Sequence, residues 1–286
     1  MKIKFINTSV ISPKPNNNSS DIISGNFISG CLGGCWNTYC YASRYNPKNI
    51  YISLNQDSII NSCIQWSELQ KWKKQPNQQD STYYMVDIGC NTDMSLMQKY
   101  LNKAKKNDLF NSFDSGLMSI LSKFDRAERL NTTFATKYSH LLNLDVHHLS
   151  KKPRVRISIM PEKSMKVLEP NTSTLQQRIK DCERLEKLGW EVHWNFSPVV
   201  MYDNWIKDYK ELISNLPPRP CEVIFLTNHE NSMIKANEEA KNYMKYSSEI
   251  KNSSGVMRYP IDEKRNAVES IKSFLGENNF KVRYIF

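Results

Sequence analysis

Residues 172–200, TSTLQQRIKDCERLEKLGWEVHWNFSPVV, hold a helix, its stop signal and a strand in one run. Leu175, Ile179, Cys182, Leu185 and Leu188 recur at helical spacing, and Gly189 stands where a C-terminal cap belongs. EVHWNFSPVV (191–200) then reads as a strand, as does VRISIM (155–160) upstream. Strand, helix and strand in that order build a parallel sheet through right-handed crossovers. Working outward, NFISG (26–30), TYYMVDIG (82–89), TTFATK (132–137) and EVIFLT (222–227) bring the expected strands to six. Mostly helical stretches such as NWIKDYKELISNL (204–216) separate them. Six strands in this alternation predict an α/β fold, a partial or complete β/α barrel rather than an open sheet.

In such barrels the chemistry lies at the C-terminal ends of the strands. A cysteine-rich loop follows the first expected strand, Cys90 ends the second, Lys137 ends the third, Ser158 lies in the fourth and Ser197 late in the fifth. Each alone reads equally as an ordinary loop residue, but five in series mark one rim as reactive.

The chain has 286 residues, 40% hydrophobic and 11% aromatic, enough for a real core and not the composition of a disordered chain. Lys plus Arg number 39 against 29 Asp plus Glu, for a formal charge of +10. That balance suits a polyanion such as nucleic acid. The abundance of Lys, Asn, Ile, Tyr and Ser is also what AT-rich coding produces, so charge favours nucleic acid only mildly. MKIKFINTSVISPKP at the start has no apolar run fit for a signal peptide or membrane span, so the expected location is cytoplasmic, with reduced thiols and no membrane partner. No internal repeat is evident, and PKPNNNSS (13–20) is a low-complexity stretch.

GCLGGCWNTYCYASRYN (30–46) places Cys31, Cys35 and Cys40 within ten residues, while Cys63, Cys90, Cys182 and Cys221 are scattered singly. Three is odd, so disulfides do not explain the loop. A structural zinc asks for four ligands, usually in two close pairs, and no His lies near. A 4Fe–4S cluster on three thiolates leaves one iron open, and S-adenosylmethionine can chelate it through amine and carboxylate. Gly33 and Gly34 allow the backbone to pack closely around such a cluster. The spacing is C-x3-C-x4-C rather than the C-x3-C-x2-C usual for that chemistry, so spacing alone leaves zinc and cluster both open.

Beyond the loop the sequence resembles the spore photoproduct lyase family of radical S-adenosylmethionine enzymes. CLGGCWNTYCYA (31–42) is similar to the family's cluster loop, in which a tyrosine flanks the last cysteine on each side, here Tyr39 and Tyr41. DIGCNTD (87–93) resembles the segment carrying a hydrogen-donating cysteine, which implies Cys90. FATKY (134–138) and RISIM (156–160) resemble segments that contact the cofactor, implying Lys137 and Ser158, with Thr92 beside Cys90. LEPNTSTLQQRI (168–179), GWEVHWNFSPVVMYDNW (189–205) and MRYPIDEKR (257–265) continue the similarity in the same order. It runs from about residue 25 to the end. Two departures stand out: two extra residues between Cys35 and Cys40, and a short lead before Cys31.

The resemblance implies a six-unit partial barrel of the radical S-adenosylmethionine type with a small C-terminal extension. The expected division is a lead at 1–24, the barrel at 25–230 and the extension at 231–286. It implies a 4Fe–4S cluster on Cys31, Cys35 and Cys40, and S-adenosylmethionine held by Thr92, Lys137, Ser158 and Ser197. The reaction would split a methylene-bridged thymine dimer in DNA through a 5′-deoxyadenosyl radical, with Cys90 returning hydrogen and Tyr39 and Tyr41 relaying it back. A flavodoxin or ferredoxin would supply electrons to an expected monomer. Lys151, Lys152 and Arg154 in KKPRVR (151–156), with Arg258 and Tyr259, are the expected DNA contacts, since Lys and Arg dominate phosphate binding. NSSGVMRYP (252–260) suggests a hairpin that could wedge an opened duplex.

Plainer readings stand beside these. A lone Cys is more often a small buried hydrophobe, which is the reading for Cys63, Cys182 and Cys221. Lys137 has the default of a solvated lysine, Ser197 is as readily a loop serine, and His147 and His148 read as exposed. Two other functions also compete: a radical modification of a different base, and a non-enzymatic basic nucleic-acid binder with structural zinc.

Overall fold

The computed structural model describes residues 2–7, 22–25, 27–31, 33, 38–40, 49–69, 82–90, 92–98, 116–248, 250–253 and 255–286. The chain divides into two compact units. The first comprises residues 1–31, 48–157 and 180–192; the second comprises 32–47, 158–179 and 193–286.

In the first unit, β1 (Lys2–Ile6) runs parallel to β4 (Asn49–Ser53), and β3 (Ile28–Ser29) lies antiparallel on the other side of β4. The main sheet begins with β2 (Ile22–Ser24), then β5 (Tyr84–Asp87), β6 (Leu130–Thr136) and β7 (Arg154–Ser158), paired in that order and all parallel. Helix α1 (Gln56–Leu69) buries Ile59, Ile60 and Cys63. Helix α2 (Leu117–Asp125) buries Leu117, Ile120, Leu121 and Phe124, a single apolar stripe at helical spacing. Phe124 meets Phe27 edge-on at 6.0 Å.

In the second unit, β8 (Glu191–Val199), β9 (Cys221–Phe225) and β13 (Val282–Ile285) continue the parallel pattern. Helix α3 (Glu162–Leu168) follows β7, and α4 (Leu175–Glu186) leads back towards β8. Helices α5 (Trp205–Ser214) and α6 (Ile261–Glu277) pack together, α6 burying Ala267, Ile271 and Leu275. A small antiparallel sheet is built from β10 (Asn228–His229), β12 (Val256–Arg258) and β11 (Ile250–Lys251). Its β11–β12 hairpin is the one expected at 252–260, and Gly255 turns it at φ +73°.

Strands β7 and β8 run from one unit into the other and are joined within each. The Glu191 N–H donates to the Pro153 carbonyl in the first, and the Ile159 N–H to the Asn195 carbonyl in the second. The order across the sheet is β13-β9-β8-β7-β6-β5-β2. This is the parallel arrangement of a partial β/α barrel with seven strands, one more than the sequence announces. The additional strand is VRYI at the C-terminus.

The first barrel strand also differs from expectation: it is Ile22–Ser24, while Ile28 and Ser29 of NFISG pair with β4. Gly25 separates the two sheets, and a Cβ there would lie 2.4 Å from the Phe27 ring. Only glycine lets the chain pass between them without displacing that ring. Gly189 caps α4 as expected, at φ +91°.

Strand alternation sets Arg154, Arg156 and Ser158 on one face of β7 and Val155 and Ile157 on the other, with all five buried. On β8, His193, Asn195 and Ser197 likewise alternate with Val192, Trp194 and Phe196. Each of these two strands thus carries a buried polar side, which suits a polar ligand.

Candidate active site

Cys31 in the first unit is half-buried and follows Gly30, whose φ is +98°. The Gly30 carbonyl accepts a 2.8 Å hydrogen bond from Thr92 Oγ1, tying the start of the cysteine loop to the turn after β5. In that turn Cys90 is exposed, with Sγ 4.0 Å from the Gly25 carbonyl. Its sulfur nevertheless sits close among protein atoms. Desolvation, then the nearby Asp87 carboxylate, pushes the thiol up to about 12.

Asp93 organises the next step. Its Oδ1 accepts the N–H groups of Ser95 and Leu96 at the start of a helical turn, at 3.1 and 3.3 Å. Thr136 Oγ1 donates to the same oxygen at 2.8 Å, and the Lys137 N–H donates to Oδ2 at 2.7 Å. Burial raises the Asp93 carboxyl above its ordinary range, opposed by those hydrogen bonds. Lys137, half-buried beyond the end of β6, is thereby held beside the Cys90–Asp93 turn.

In the second unit, Cys40 is half-buried and Tyr39 buried. The Tyr39 hydroxyl donates to Glu169 Oε1, and Thr38 Oγ1 donates to the Leu168 carbonyl at 2.7 Å. Ser158 ends β7 fully buried, with Asn195 Nδ2 3.5 Å from its Oγ and Arg178 Nη1 donating to its carbonyl at 2.6 Å. Asn195 Oδ1 is buried without a hydrogen-bond partner among the described residues, the state of a group awaiting a polar ligand. Ser197 is half-buried and precedes a cis proline, Pro198. Cys35 and Tyr41 lie outside the described residues. Among the described residues, which exclude Cys35, no three His, Cys, Asp or Glu side chains gather as a metal site.

Three of the five expected DNA contacts are engaged within the protein. Lys151 Nζ donates to the carbonyls of Phe124, Ala127 and Leu130 at 2.9, 2.5 and 2.6 Å, capping the end of α2. Burial draws that ammonium below its ordinary range. Arg154 is buried and pairs with Glu191 at 3.1 Å. Tyr259 is buried, its hydroxyl oxygen accepting the Met201 N–H at 2.9 Å, and burial raises the phenol. Lys152 and Arg258 are exposed. Cys63, Cys182 and Cys221 are buried, as expected of packing cysteines.

Sequence reasoning missed Asp87, Arg156, Asp93, Glu169, Arg178 and Asn195. Glu169 and Arg178 do lie within LEPNTSTLQQRI, where Arg178 reads as a surface position of an amphipathic helix.

Comparison with known proteins defines the class first. Two solved structures of spore photoproduct lyase share the fold. One, a double mutant with bound AdoMet and dinucleoside spore photoproduct, has a TM-score of 0.74 at 15% identity, covering 99% of this chain and 82% of that one. The other, complexed with dinucleoside spore photoproduct, has a TM-score of 0.73 at 14% identity with the same coverage. The spore photoproduct lyase of Clostridium acetobutylicum is 25% identical over 219 residues, 73% of this chain and 58% of that protein. The chain thus spans under two thirds of that relative's length. The Bacillus subtilis protein is 22% identical over 283 residues, covering 90% of this chain and 74% of its own. The family profile for spore photoproduct lyase matches residues 18–222, and the chain belongs to that family.

Proposed function

We propose that this chain is a radical S-adenosylmethionine lyase that splits the methylene-bridged thymine dimer of UV-damaged DNA into two thymines. The observation that carries this reading is the family match over residues 18–222. It encloses Cys31, Cys35, Cys40, Cys90, Thr92, Lys137, Ser158 and Ser197 in their expected order. The donor set suits the cofactors: three soft thiolates within one loop fit an iron–sulfur cluster, and the Asn195 oxygen beside Ser158, without a hydrogen-bond partner among the described residues, fits a polar ligand.

When bound, the 4Fe–4S cluster and S-adenosylmethionine supply a 5′-deoxyadenosyl radical that takes hydrogen from the lesion. Cys31, Cys35 and Cys40 would hold the cluster. The Lys137 ammonium neutralises the cofactor carboxylate, and the Thr92, Ser158 and Ser197 hydroxyls orient its polar groups. Cys90 donates a hydrogen atom to the thymine radical left after the bridge breaks, becoming a thiyl radical itself. Its high ionisation point suits this role, because a thiolate has no S–H bond to give. Tyr39 and Tyr41 would serve as the relay that quenches the thiyl radical. Lys152 and Arg258 offer exposed cations to phosphates, and extruding the damaged bases costs a few kcal/mol. A flavodoxin or ferredoxin is the electron donor, and the enzyme acts as a cytoplasmic monomer. No helix among the described residues is long and apolar enough to cross a membrane.

One observation favours a second reading, radical modification of another base: the loop carries two more residues between Cys35 and Cys40 than the family pattern. The deciding experiment is anaerobic reconstitution, then incubation with reductant, S-adenosylmethionine and UV-irradiated thymine-rich DNA, with base analysis. Restored thymine supports the lyase. Cofactor cleavage without restored thymine favours the second reading, and colourless zinc-bound protein overturns both.

A further inference from the structure

In the second unit a cavity of about 350 Å³ opens where the end of β12 meets the first turns of α6, with Arg258, Ile261, Lys264 and Val268 among its walls. Two of these walls, Arg258 and Lys264, are cations with no ion-pair partner among the described residues. The carboxylates of α6 do not reach them. Asp262 pairs with Arg265 at 3.2 Å and Glu269 with Lys272 at 2.9 Å, while Glu263 is exposed and pairs with neither cation.

Lys264 is half-buried, its Nζ 5.9 Å from the ring centre of Phe225, the last residue of β9. A ring face attracts a cation but does not neutralise it. Desolvation, then the charge of Arg258, draws the Lys264 ammonium below its ordinary range. Two like charges held on one cavity repel each other, and a single anion taken between them satisfies both.

The remaining wall is apolar. Ile261 is 65% exposed and Val268 half-buried. An exposed isoleucine standing alone needs no explanation. On a cavity that also carries two unpaired cations, it matches an anion with an apolar body better than an inorganic ion. A nucleotide has that form: a charged phosphate joined to a sugar and a flat base, the combination that cationic and apolar side chains hold together on single strands.

We propose that this cavity binds one nucleotide of a DNA strand, its phosphate shared by Arg258 and Lys264 and its sugar or base set against Ile261 and Val268. The inference rests on the function proposed above only in taking DNA as the source of the nucleotide. Because a strand carries one charge per phosphate, the two cations form one electrostatic contact and not two.

The full chain is titrated with a fluorescent, lesion-free oligothymidylate at several salt concentrations, and with thymidine 5′-monophosphate in parallel. Lys264→Met and Arg258→Met should each weaken strand binding several-fold and reduce the salt-dependence slope by about 0.7, the share of one phosphate on a single strand. The double variant should also lose about 0.7; a loss of about 1.4 would overturn the shared phosphate. Lys264→Arg should restore the parent slope. Ile261→Ser should weaken binding several-fold at an unchanged slope, since it removes apolar contact and no charge. Parent affinity and slope in Lys264→Met would overturn the proposal, whatever that variant's unfolding midpoint. Thymidine monophosphate bound as tightly as the strand, and lost in Lys264→Met, would overturn the strand as the ligand and make this a free-nucleotide site. The titrations use undamaged DNA and involve no catalysis. Failure of the parent enzyme to restore thymine would therefore overturn the lyase reading and leave these results standing.

Discussion

Arg156 on β7 places its guanidinium 2.6 Å from the Asp87 carboxylate at the end of β5, and Asp87 Oδ1 also accepts the Gly89 N–H at 3.0 Å. The pair thus braces the turn that presents Cys90. Asp87→Asn removes the counter-charge from a nearly buried cation, a change that costs about 3–5 kcal/mol in comparable pairs. Urea unfolding at neutral pH is expected to show a lowered midpoint with an unchanged slope. Because Asp87 helps to raise the Cys90 thiol, the variant should also alkylate faster with iodoacetamide at Cys90 than the parent at the same pH. Equal rates would remove Asp87 from the account of that thiol.

Alkaline stability follows from the buried thiols. Cys63 and Cys221 are pushed from 9.0 up to about 12 by burial. Above pH 9 the unfolded chain releases these protons while the folded chain keeps them. Stability should therefore be intact at and below pH 9 and fall as pH rises towards 12, by about 1.4 kcal/mol per pH unit for each thiol. Buried Tyr209, whose phenol is raised well above its ordinary value, acts in the same direction. Urea midpoints under reducing conditions from pH 8 upwards test this, and a Cys63→Ala, Cys221→Ala double variant should show a shallower decline.

The helix and strand of 172–200 are legible because their signals are local: apolar spacing, a glycine at positive φ, then alternation. The seventh barrel strand is not. VRYI is four residues at the chain's end, and only its pairing with Cys221–Val223 makes it a strand. The buried cations were illegible for a related reason. Lys and Arg read as surface residues by default, and the carboxylates that neutralise Arg154, Arg156 and Arg178 lie 37, 69 and 9 residues away. No helical or strand spacing rule connects such positions. The cysteine loop and Cys90 stand out in the sequence because their residue types and order carry the family pattern, whereas Glu169 becomes visible only when Tyr39 is placed against it.

The surface cations separate from the buried ones in DNA binding. Lys152→Ala and Arg258→Ala should each weaken binding across sequences and reduce the salt-dependence slope by about one. Arg154→Ala should leave the slope unchanged and instead lower the unfolding midpoint, since it strands Glu191. Titrations at several salt concentrations distinguish the two patterns, and a slope change in Arg154→Ala would contradict its assignment as a structural cation.

Cluster assembly depends on the loop thiols. Cys31→Ala, Cys35→Ala and Cys40→Ala each remove one of three ligands and are expected to abolish iron retention after anaerobic reconstitution. Cys63→Ala, at a buried packing position, should keep the parent's iron. Normal iron content and visible spectrum in any of the three loop variants would count against the cluster.

Cys90→Ala bears most directly on the chemistry. The thiol is exposed in the turn after β5 and remains protonated at neutral pH, so it has an S–H bond to donate. The variant is therefore expected to retain iron, to keep consuming S-adenosylmethionine and to open the lesion. Without its donor, the thymine radical is quenched by nearby species such as water, dithionite-derived anions or oxygen, and abnormal thymine adducts accumulate. A cluster ligand at position 90 would instead show as lost iron. A packing residue would show as a lower unfolding midpoint with no new products, although an exposed side chain gives little reason to expect one. Product analysis of Cys90→Ala beside the parent decides among these, and intact thymine restored at the parent rate would rule out the donor role.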